Sequence, residues 1–220
     1  MRWSLFVLVL ILEVDAHAQG GPGHPRDTTL VLQGGQYLDT RAGVLRPNGA
    51  IVVRDGRIVE IRPSAAQVKL PPGTRNLDLR GRTILPGLID AHVHLTLAGD
   101  PAANALATLR AGFTTVVDLG SAGGAGLRQR DRIARGEVPG PSVIAAGSWI
   151  GAKGGVCEFG GATVAGAEEA RRRARSDLDA GADLLKVCVT GWPADAVAAP
   201  DSIELGPGPL DAVLEVARAA

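Results

Sequence analysis

Two histidines separated by one residue are the strongest candidates for chemistry in this chain. His92 and His94 lie in the phrase Leu-Ile-Asp-Ala-His-Val-His-Leu, which is typical of an apolar strand that ends in polar residues. On a β-strand, residues i and i+2 point to the same face, so both imidazoles can approach one ion. A single histidine would more often be a core residue. The pair predicts a divalent metal site, and zinc is the ion that imidazole ligands favour.

The residues around this pair define the rest of the candidate site. Asp90 precedes His92 by two residues on the same face, so its carboxylate is predicted to orient one imidazole without binding the metal itself. The chain has four histidines. The other two, His17 and His24, fall in an N-terminal segment that we expect to lie outside the folded body. His92 and His94 are therefore the histidines that the folded body can offer to a metal ion.

Three repeats of helix, glycine and buried strand would position this pair. Each predicted helix is followed by a glycine that suits a left-handed helix C-terminus: Gly112, Gly136 and Gly181. The predicted helices cover residues 101–111, a stretch that ends near 135, and 163–180, and a last helix covers 209–220. The strands between them are predicted at 114–119, 142–146 and 183–189. This alternation indicates an α/β protein with a parallel sheet.

Residues 29–85 follow a different pattern. Short apolar runs at 30–32, 50–53 and 57–61 are separated by Gly, Asn and Asp, and Asp55-Gly56 between two of them predicts a β-hairpin. A β module of this size is too small to be stable alone. It must pack against the α/β part.

Two architectures fit the α/β part. One is a doubly wound open sheet, and the other is a (β/α) barrel. Four strands follow the β module, whereas a complete barrel has eight and typically about 250 residues. Length alone therefore favours the open sheet.

A family resemblance favours the barrel instead. Residues 81–95, Gly-Arg-Thr-Ile-Leu-Pro-Gly-Leu-Ile-Asp-Ala-His-Val-His-Leu, resemble the first barrel strand of the metal-dependent amidohydrolase superfamily. Residues 111–120, 139–147 and 181–191 are similar to the second, third and fourth strands of its imidazolonepropionase/Xaa-Pro dipeptidase-like branch. The resemblance implies part of a small β-sandwich at 29–85, followed at 86–220 by the first four βα units of a (β/α)8 TIM-type barrel.

The resemblance also assigns a role to Lys186. A lone lysine at a strand end usually extends its ammonium to water, and an ammonium has no lone pair with which to bind a metal. In binuclear amidohydrolases, the lysine at this place reacts with carbon dioxide, and the resulting carbamate bridges two metal ions. The metal ligands implied for this chain are therefore His92, His94 and a carboxylated Lys186.

The implied activity is metal-dependent hydrolysis of a C–N bond in a small-molecule amide, dipeptide or cyclic amide. In the family, two further histidines and a catalytic carboxylate come from later strands, and no histidine follows His94 here. We therefore expect no catalytic acid–base residue within this chain, and no appreciable activity from it alone. The alternative is an inactive fragment or interaction module from a truncated reading frame. The expected partner is a second copy or a complementing chain.

Composition and the N-terminal residues limit the class of partner and the cellular location of the protein. The 23 basic and 23 acidic residues cancel, and no basic block is present, which argues against a nucleic-acid partner. Arg2, an apolar run at 5–12 and Ala16-His17-Ala18 predict a signal peptide at 1–18, followed by a flexible leader at 19–28. An uncleaved membrane anchor is the alternative, but eight apolar residues are too few to span a bilayer. We expect a secreted or periplasmic protein.

An oxidising compartment would allow the two cysteines to pair. Cys157 lies in a glycine-rich loop at 151–161, after the third predicted barrel strand, and Cys188 lies in the fourth. This loop is either a substrate loop at the barrel mouth or an ordinary surface loop. The positions of the two cysteines predict a disulfide that ties the loop to the fourth strand.

Overall fold

The computed structural model describes residues 29–47, 49–63, 72–161, 163–191 and 202–220. The predicted signal peptide and leader lie outside these ranges. Within the described ranges, no helix combines the length and apolar character that a membrane crossing requires.

The N-terminal part forms two small β-sheets. One sheet has the strand order β5-β4-β1-β6 and the other has the order β3-β2-β7. Their strands are β1 (Thr29–Gln33), β2 (Gln36–Asp39), β3 (Val44–Arg46), β4 (Ala50–Arg54), β5 (Arg57–Arg62), β6 (Arg75–Asp78) and β7 (Thr83–Ile84). A small buried cluster of Val31, Ala50 and Val52 joins β1 to β4.

The predicted hairpin at Asp55-Gly56 is confirmed. Strands β4 and β5 pair antiparallel across it, with Arg54 opposite Arg57. Asp55 and Gly56 both have positive φ, 50° and 75°. This is the two-residue turn geometry that fits the twist of a hairpin, and Asp-Gly is one of the residue pairs that tolerate it.

The second part alternates parallel strands with helices. Its elements are β8 (Leu88–Val93), α1 (Pro101–Arg110), β9 (Phe113–Asp118), α2 (Ala125–Ala134), β10 (Ser142–Ala152), β11 (Thr163–Val164), α3 (Ala167–Asp179), β12 (Leu184–Val187) and α4 (Pro207–Ala219). β8 pairs with β9, β9 with β10, and β10 with β12, all in parallel.

The order of these strands decides between the two predicted architectures. Each major strand adds beside the previous one, so the order β8-β9-β10-β12 follows the chain without reversal. A doubly wound open sheet reverses its strand order at a switch point, whereas a (β/α) barrel does not. The fold is therefore the predicted half of a TIM-type barrel preceded by part of a β-sandwich.

Glycines end three of the helices as predicted. Gly112, Gly136 and Gly181 have φ values of 97°, 72° and 86°, directly after the C-terminal turns of α1, α2 and α3. After Gly136 and Gly181, the backbone N–H of the next residue donates to a carbonyl of the preceding helix. Glu137 donates to Arg132 O and Ala182 donates to Asp177 O, each at 3.0 Å. These contacts form Schellman motifs, which satisfy carbonyls that the helix end would leave unpaired.

Two predicted boundaries need correction. The long helix begins at Ala167 rather than residue 163, because Thr163 and Val164 form β11 and pair with Gly151 and Ala152. The strand predicted at 142–146 continues to Ala152. The β-branched pair Thr163-Val164 suits an extended strand. It can pair with β10 because β10 extends to Ala152.

The predicted disulfide between Cys157 and Cys188 is confirmed, with a Cα–Cα distance of 6.3 Å. It joins the loop after β10 to the end of β12, where both cysteines pack against the buried Trp149. A second contact holds the same loop, since Glu204 Oε2 accepts the N–H of Val156 at 2.8 Å. The loop is thus fixed to the chain segments that follow β12.

Replacing both cysteines by alanine should lower the free energy of unfolding by about 2–4 kcal/mol. The bridge closes a loop with a sequence separation of 31, and its loss frees the unfolded chain. Urea unfolding under non-reducing conditions measures the change. Wild-type protein with a reductant is the matched control and should unfold at the midpoint of the double variant. Equal midpoints for the oxidised wild type and the variant would contradict a stabilising role.

Candidate metal centre

The residues predicted to bind metal lie at the carboxyl ends of the parallel strands. His92 is the penultimate residue of β8, His94 follows β8 directly, and Lys186 is in β12. This is the end of a (β/α) barrel at which active sites are built, because the loops that follow the strands meet there. The positive charge of Lys186 is close enough to act on the His92 imidazole.

The two imidazoles have the separation that a shared metal ion requires. Their ring centroids are 5.4 Å apart and the ring planes are at 78°. With zinc–nitrogen bonds of about 2.0–2.1 Å, two imidazoles on one tetrahedral ion have centroids roughly 5 Å apart. The separation of the His92 and His94 rings is therefore compatible with a single shared ion.

A hydrogen bond fixes the orientation of the His94 ring. Its Nδ1 lies 3.0 Å from the carbonyl oxygen of Gly120, which can only accept, so Nδ1 carries the proton when the ring is neutral. The other nitrogen, Nε2, then keeps its lone pair for a metal. Metal-binding histidines commonly use this arrangement, in which one nitrogen donates to a carbonyl and the other binds.

The pKa values of His92 and Lys186 are both shifted towards the neutral forms of these side chains. Burial lowers the pKa of His92, and the nearby charges of Lys186 and His94 lower it further, while Asp90 opposes them. Burial also lowers the pKa of Lys186. A metal needs the neutral imidazole, and carbon dioxide needs the neutral amine, so both shifts act in the direction that the predicted site requires.

Trp149 lies between the two halves of the site. Its ring centroid is 5.4 Å from that of His94, and its backbone pairs with Lys186 across β10 and β12. Only 3% of Trp149 is exposed, whereas Phe159, 5.0 Å from it on the loop after β10, is 60% exposed. Sequence reasoning assigned no role to this tryptophan, whose position becomes evident only when three strands are brought together.

Asp90 contacts the main chain near the site. Its Oδ1 accepts the backbone N–H of His92 at 3.0 Å. Aspartate often bonds to a backbone N–H two residues later, because its short side chain reaches that group readily. The predicted role of Asp90 in orienting an imidazole stays a prediction.

Asp118 is the buried acid that sequence reasoning missed. It ends β9 and has 0% exposure. Burial raises the pKa of Asp118, while the N–H groups of Leu95 and Gly120 and the charge of His94 lower it. The available signal was an aspartate that ends an otherwise apolar strand, in the same way that the histidines end β8.

The donor set of the described residues is small. Across these ranges, no group of three or more histidine, cysteine, aspartate and glutamate side chains could hold a metal ion. His92 and His94 supply two nitrogen donors. A carboxylated Lys186 is the third ligand that the family resemblance implies.

Known proteins share both the sequence and the fold of this chain. The model of the amidohydrolase family matches residues 83–220, more than half of the chain. An imidazolonepropionase of Symbiobacterium thermophilum is 37% identical over 113 residues, which is 45% of this chain and 26% of that protein. A dihydroorotase of Anaeromyxobacter dehalogenans is 37% identical over 94 residues, which is 40% of this chain and 20% of that protein.

Solved structures extend the similarity to most of the described fold. A Xaa-Pro dipeptidase with methionine bound in its active site superposes with a TM-score of 0.76 at 26% identity, and covers 87% of this chain and 54% of that chain. The chain thus spans about half the length of the dipeptidase. These relatives confirm the predicted resemblance to imidazolonepropionases and Xaa-Pro dipeptidases. The chain belongs to the amidohydrolase family.

Proposed function

We propose that this chain supplies one half of a metal-dependent hydrolase site that cleaves a C–N bond in an amide, a dipeptide or a cyclic amide. The observation that carries the proposal is the pair His92–His94, whose ring centroids lie 5.4 Å apart, with the charge of Lys186 close enough to lower the pKa of His92. Family membership supports this reaction class. Substrates of the relatives, a cyclic imidazolone, a dihydroorotate and an Xaa-Pro dipeptide, all present a carbonyl bonded to nitrogen.

Each residue has a defined task in this proposal. His92 and His94 would hold a divalent ion, for which zinc is our choice, and Lys186, once carboxylated, would supply a further ligand in the binuclear site that the family resemblance implies. The metal would polarise the substrate carbonyl and activate water. The Gly120 carbonyl holds the His94 ring so that Nε2 keeps its lone pair for an ion, and the buried indole of Trp149 lies beside that ring.

A second candidate is an interaction module without activity of its own. Within the described residues, β8 pairs on one side only, with β9, and the edge of β12 away from β10 has no partner. An open strand edge can pair with another chain. A second copy or a complementing chain at these edges could also bring the missing ligands, so this candidate and the first are connected.

We place the mature protein in the periplasm or outside the cell. The predicted signal peptide supports this location, and the Cys157–Cys188 disulfide is the form that cysteines adopt in an oxidising compartment.

An activity assay tests the proposal. The 220-residue chain loaded with zinc and bicarbonate should not hydrolyse N-acyl amino acids, dipeptides or cyclic amides above background. A fusion to the imidazolonepropionase segment that follows the matched region should show turnover, because it adds the ligands and the catalytic carboxylate of later strands. Lys186→Ala in the fusion should abolish turnover, and Lys153→Ala should not. Turnover by the 220-residue chain alone would show that other ligands suffice.

A further inference from the structure

Asp118 and the next residue, Leu119, together hold the chain on both sides of His94. Asp118 Oδ2 accepts the N–H of Leu95 at 3.1 Å, directly after the histidine. Leu119 donates its N–H to the carbonyl of Val93 at 3.0 Å, directly before the histidine. The end of β8 therefore cannot shift relative to the end of β9 without breaking one of these bonds.

The same carboxylate also holds the group that orients the His94 ring. Asp118 Oδ1 accepts the N–H of Gly120 at 3.2 Å, and the Gly120 carbonyl is the oxygen that His94 Nδ1 contacts. On the far side, the N–H of Ser121 donates to the carbonyl of Gly147 in β10. Gly120 is thus held from two directions.

The turn at Gly120 leaves little room for a different arrangement. Gly120 has a φ of 114°, which is left-handed backbone that favours glycine, and a Cβ there would lie 3.1 Å from the Trp149 ring. The Gly120 carbonyl, which accepts the hydrogen bond from His94 Nδ1–H, is therefore held in place by the backbone, by Trp149 and by Asp118.

We propose that Asp118 is a positioning residue for the metal site, which sets the Nδ1–H tautomer and the orientation of His94 through its paired hydrogen bonds to Leu95 and Gly120. It does not touch the metal or the substrate. The inference rests on the proposed function only in taking His94 as a metal ligand, and the tautomer part holds without metal.

A carboxylate is required because both of its oxygens accept hydrogen bonds from main-chain donors. An asparagine of the same shape keeps one acceptor and places an NH2 group against the second N–H. That N–H would then lack a partner in a fully buried place, which destabilises the folded loop unless the loop moves. Movement of the loop would displace the Gly120 carbonyl from His94.

The test compares Asp118→Asn with a matched control, Asp177→Asn. Asp177 is also a buried carboxylate, at 5% exposure, but it lies on α3, pairs with Arg173, 3.4 Å away, and accepts from the Ser148 main chain rather than from Leu95 and Gly120. Both variants should lose stability to thermal unfolding. Nitrogen-15 NMR of histidine-labelled protein without metal, at a pH at which the imidazoles are neutral, reports the His94 tautomer. Isothermal calorimetry with zinc reports metal affinity.

We expect Asp118→Asn to shift His94 from the Nδ1–H tautomer towards Nε2–H and to weaken zinc binding about 10–100-fold, the usual effect of losing a group that orients a ligand. Asp177→Asn should leave both unchanged. Gly120→Ala, which disturbs the same carbonyl, should produce the same tautomer change. It provides the test of the tautomer if Asp118→Asn does not fold. Wild-type tautomer in both Asp118→Asn and Gly120→Ala would overturn the inference. Failure of the wild type to bind zinc would contradict the metal site instead, with the tautomer result still decisive for Asp118.

Discussion

The His92→Ala and His94→Ala variants are each expected to bind zinc on the order of 100-fold more weakly than the wild type, a change of about 2.7 kcal/mol. Each variant removes one of two nitrogen donors whose rings lie 5.4 Å apart, and the remaining imidazole cannot hold the ion alone. Competing thiolates are absent, because both cysteines of the sequence are in the disulfide. Isothermal calorimetry on the oxidised protein measures the change.

The controls for this experiment separate the pair from nonspecific binding. His24→Ala removes another histidine of the chain and should leave zinc affinity unchanged. Binding should also persist to lower pH than for an ordinary imidazole, because protons compete with zinc and the pKa of His92 is lowered. Equal affinity in wild type and His94→Ala would show that zinc binds elsewhere.

Local sequence signals were sufficient for much of the fold. The Asp55-Gly56 turn and the glycines after α1, α2 and α3 require positive φ, and glycine is the residue that adopts it at least cost. Such signals depend on a few neighbouring residues. The barrel itself was predicted only from the family resemblance, because four strands and their helices are compatible with two sheet orders.

Boundaries that depend on distant pairing were predicted less well. The β-branched pair Thr163-Val164 only disfavours a helix, and β11 exists because these two residues find partners at Gly151 and Ala152. The extension of β10 to Ala152 has the same cause, since its end pairs with β11 and β12. Propensity within a short window does not contain this information.

In the candidate site too, some residues could be predicted from one strand, whereas others depend on contacts between strands. The spacing of His92 and His94 is a property of one strand, and in the structure their ring centroids lie 5.4 Å apart. Asp118 and Trp149 act on His94 from β9 and β10, and their contacts arise only when the strands are adjacent. A buried acid that ends an apolar strand is a usable signal, and here it points to the residue that holds the turn at Gly120.

Lys186 should become carboxylated in the presence of bicarbonate and zinc, which would give a carbon-13 NMR resonance in protein exposed to labelled bicarbonate. The nitrogen lone pair attacks carbon dioxide, a C–N bond forms, and the amine releases a proton. Only the neutral amine reacts, and the neutral fraction rises as pH rises through the pKa. Since burial lowers the pKa of Lys186 from the ordinary 10.5, carboxylation at a fixed concentration of dissolved carbon dioxide should begin at lower pH than for lysine in a short peptide.

The variants make this prediction specific to one side chain. Lys186→Ala should abolish the labelled resonance, whereas Lys153→Ala, which removes an exposed lysine on the loop after β10, should retain it. Lys186→Ala should also weaken zinc binding, because it removes the third donor near His92 and His94. His94→Ala should reduce the resonance, since a bound ion stabilises the carbamate. A resonance of equal intensity in Lys186→Ala and the wild type would place the carboxylated group elsewhere and remove Lys186 from the ligand set.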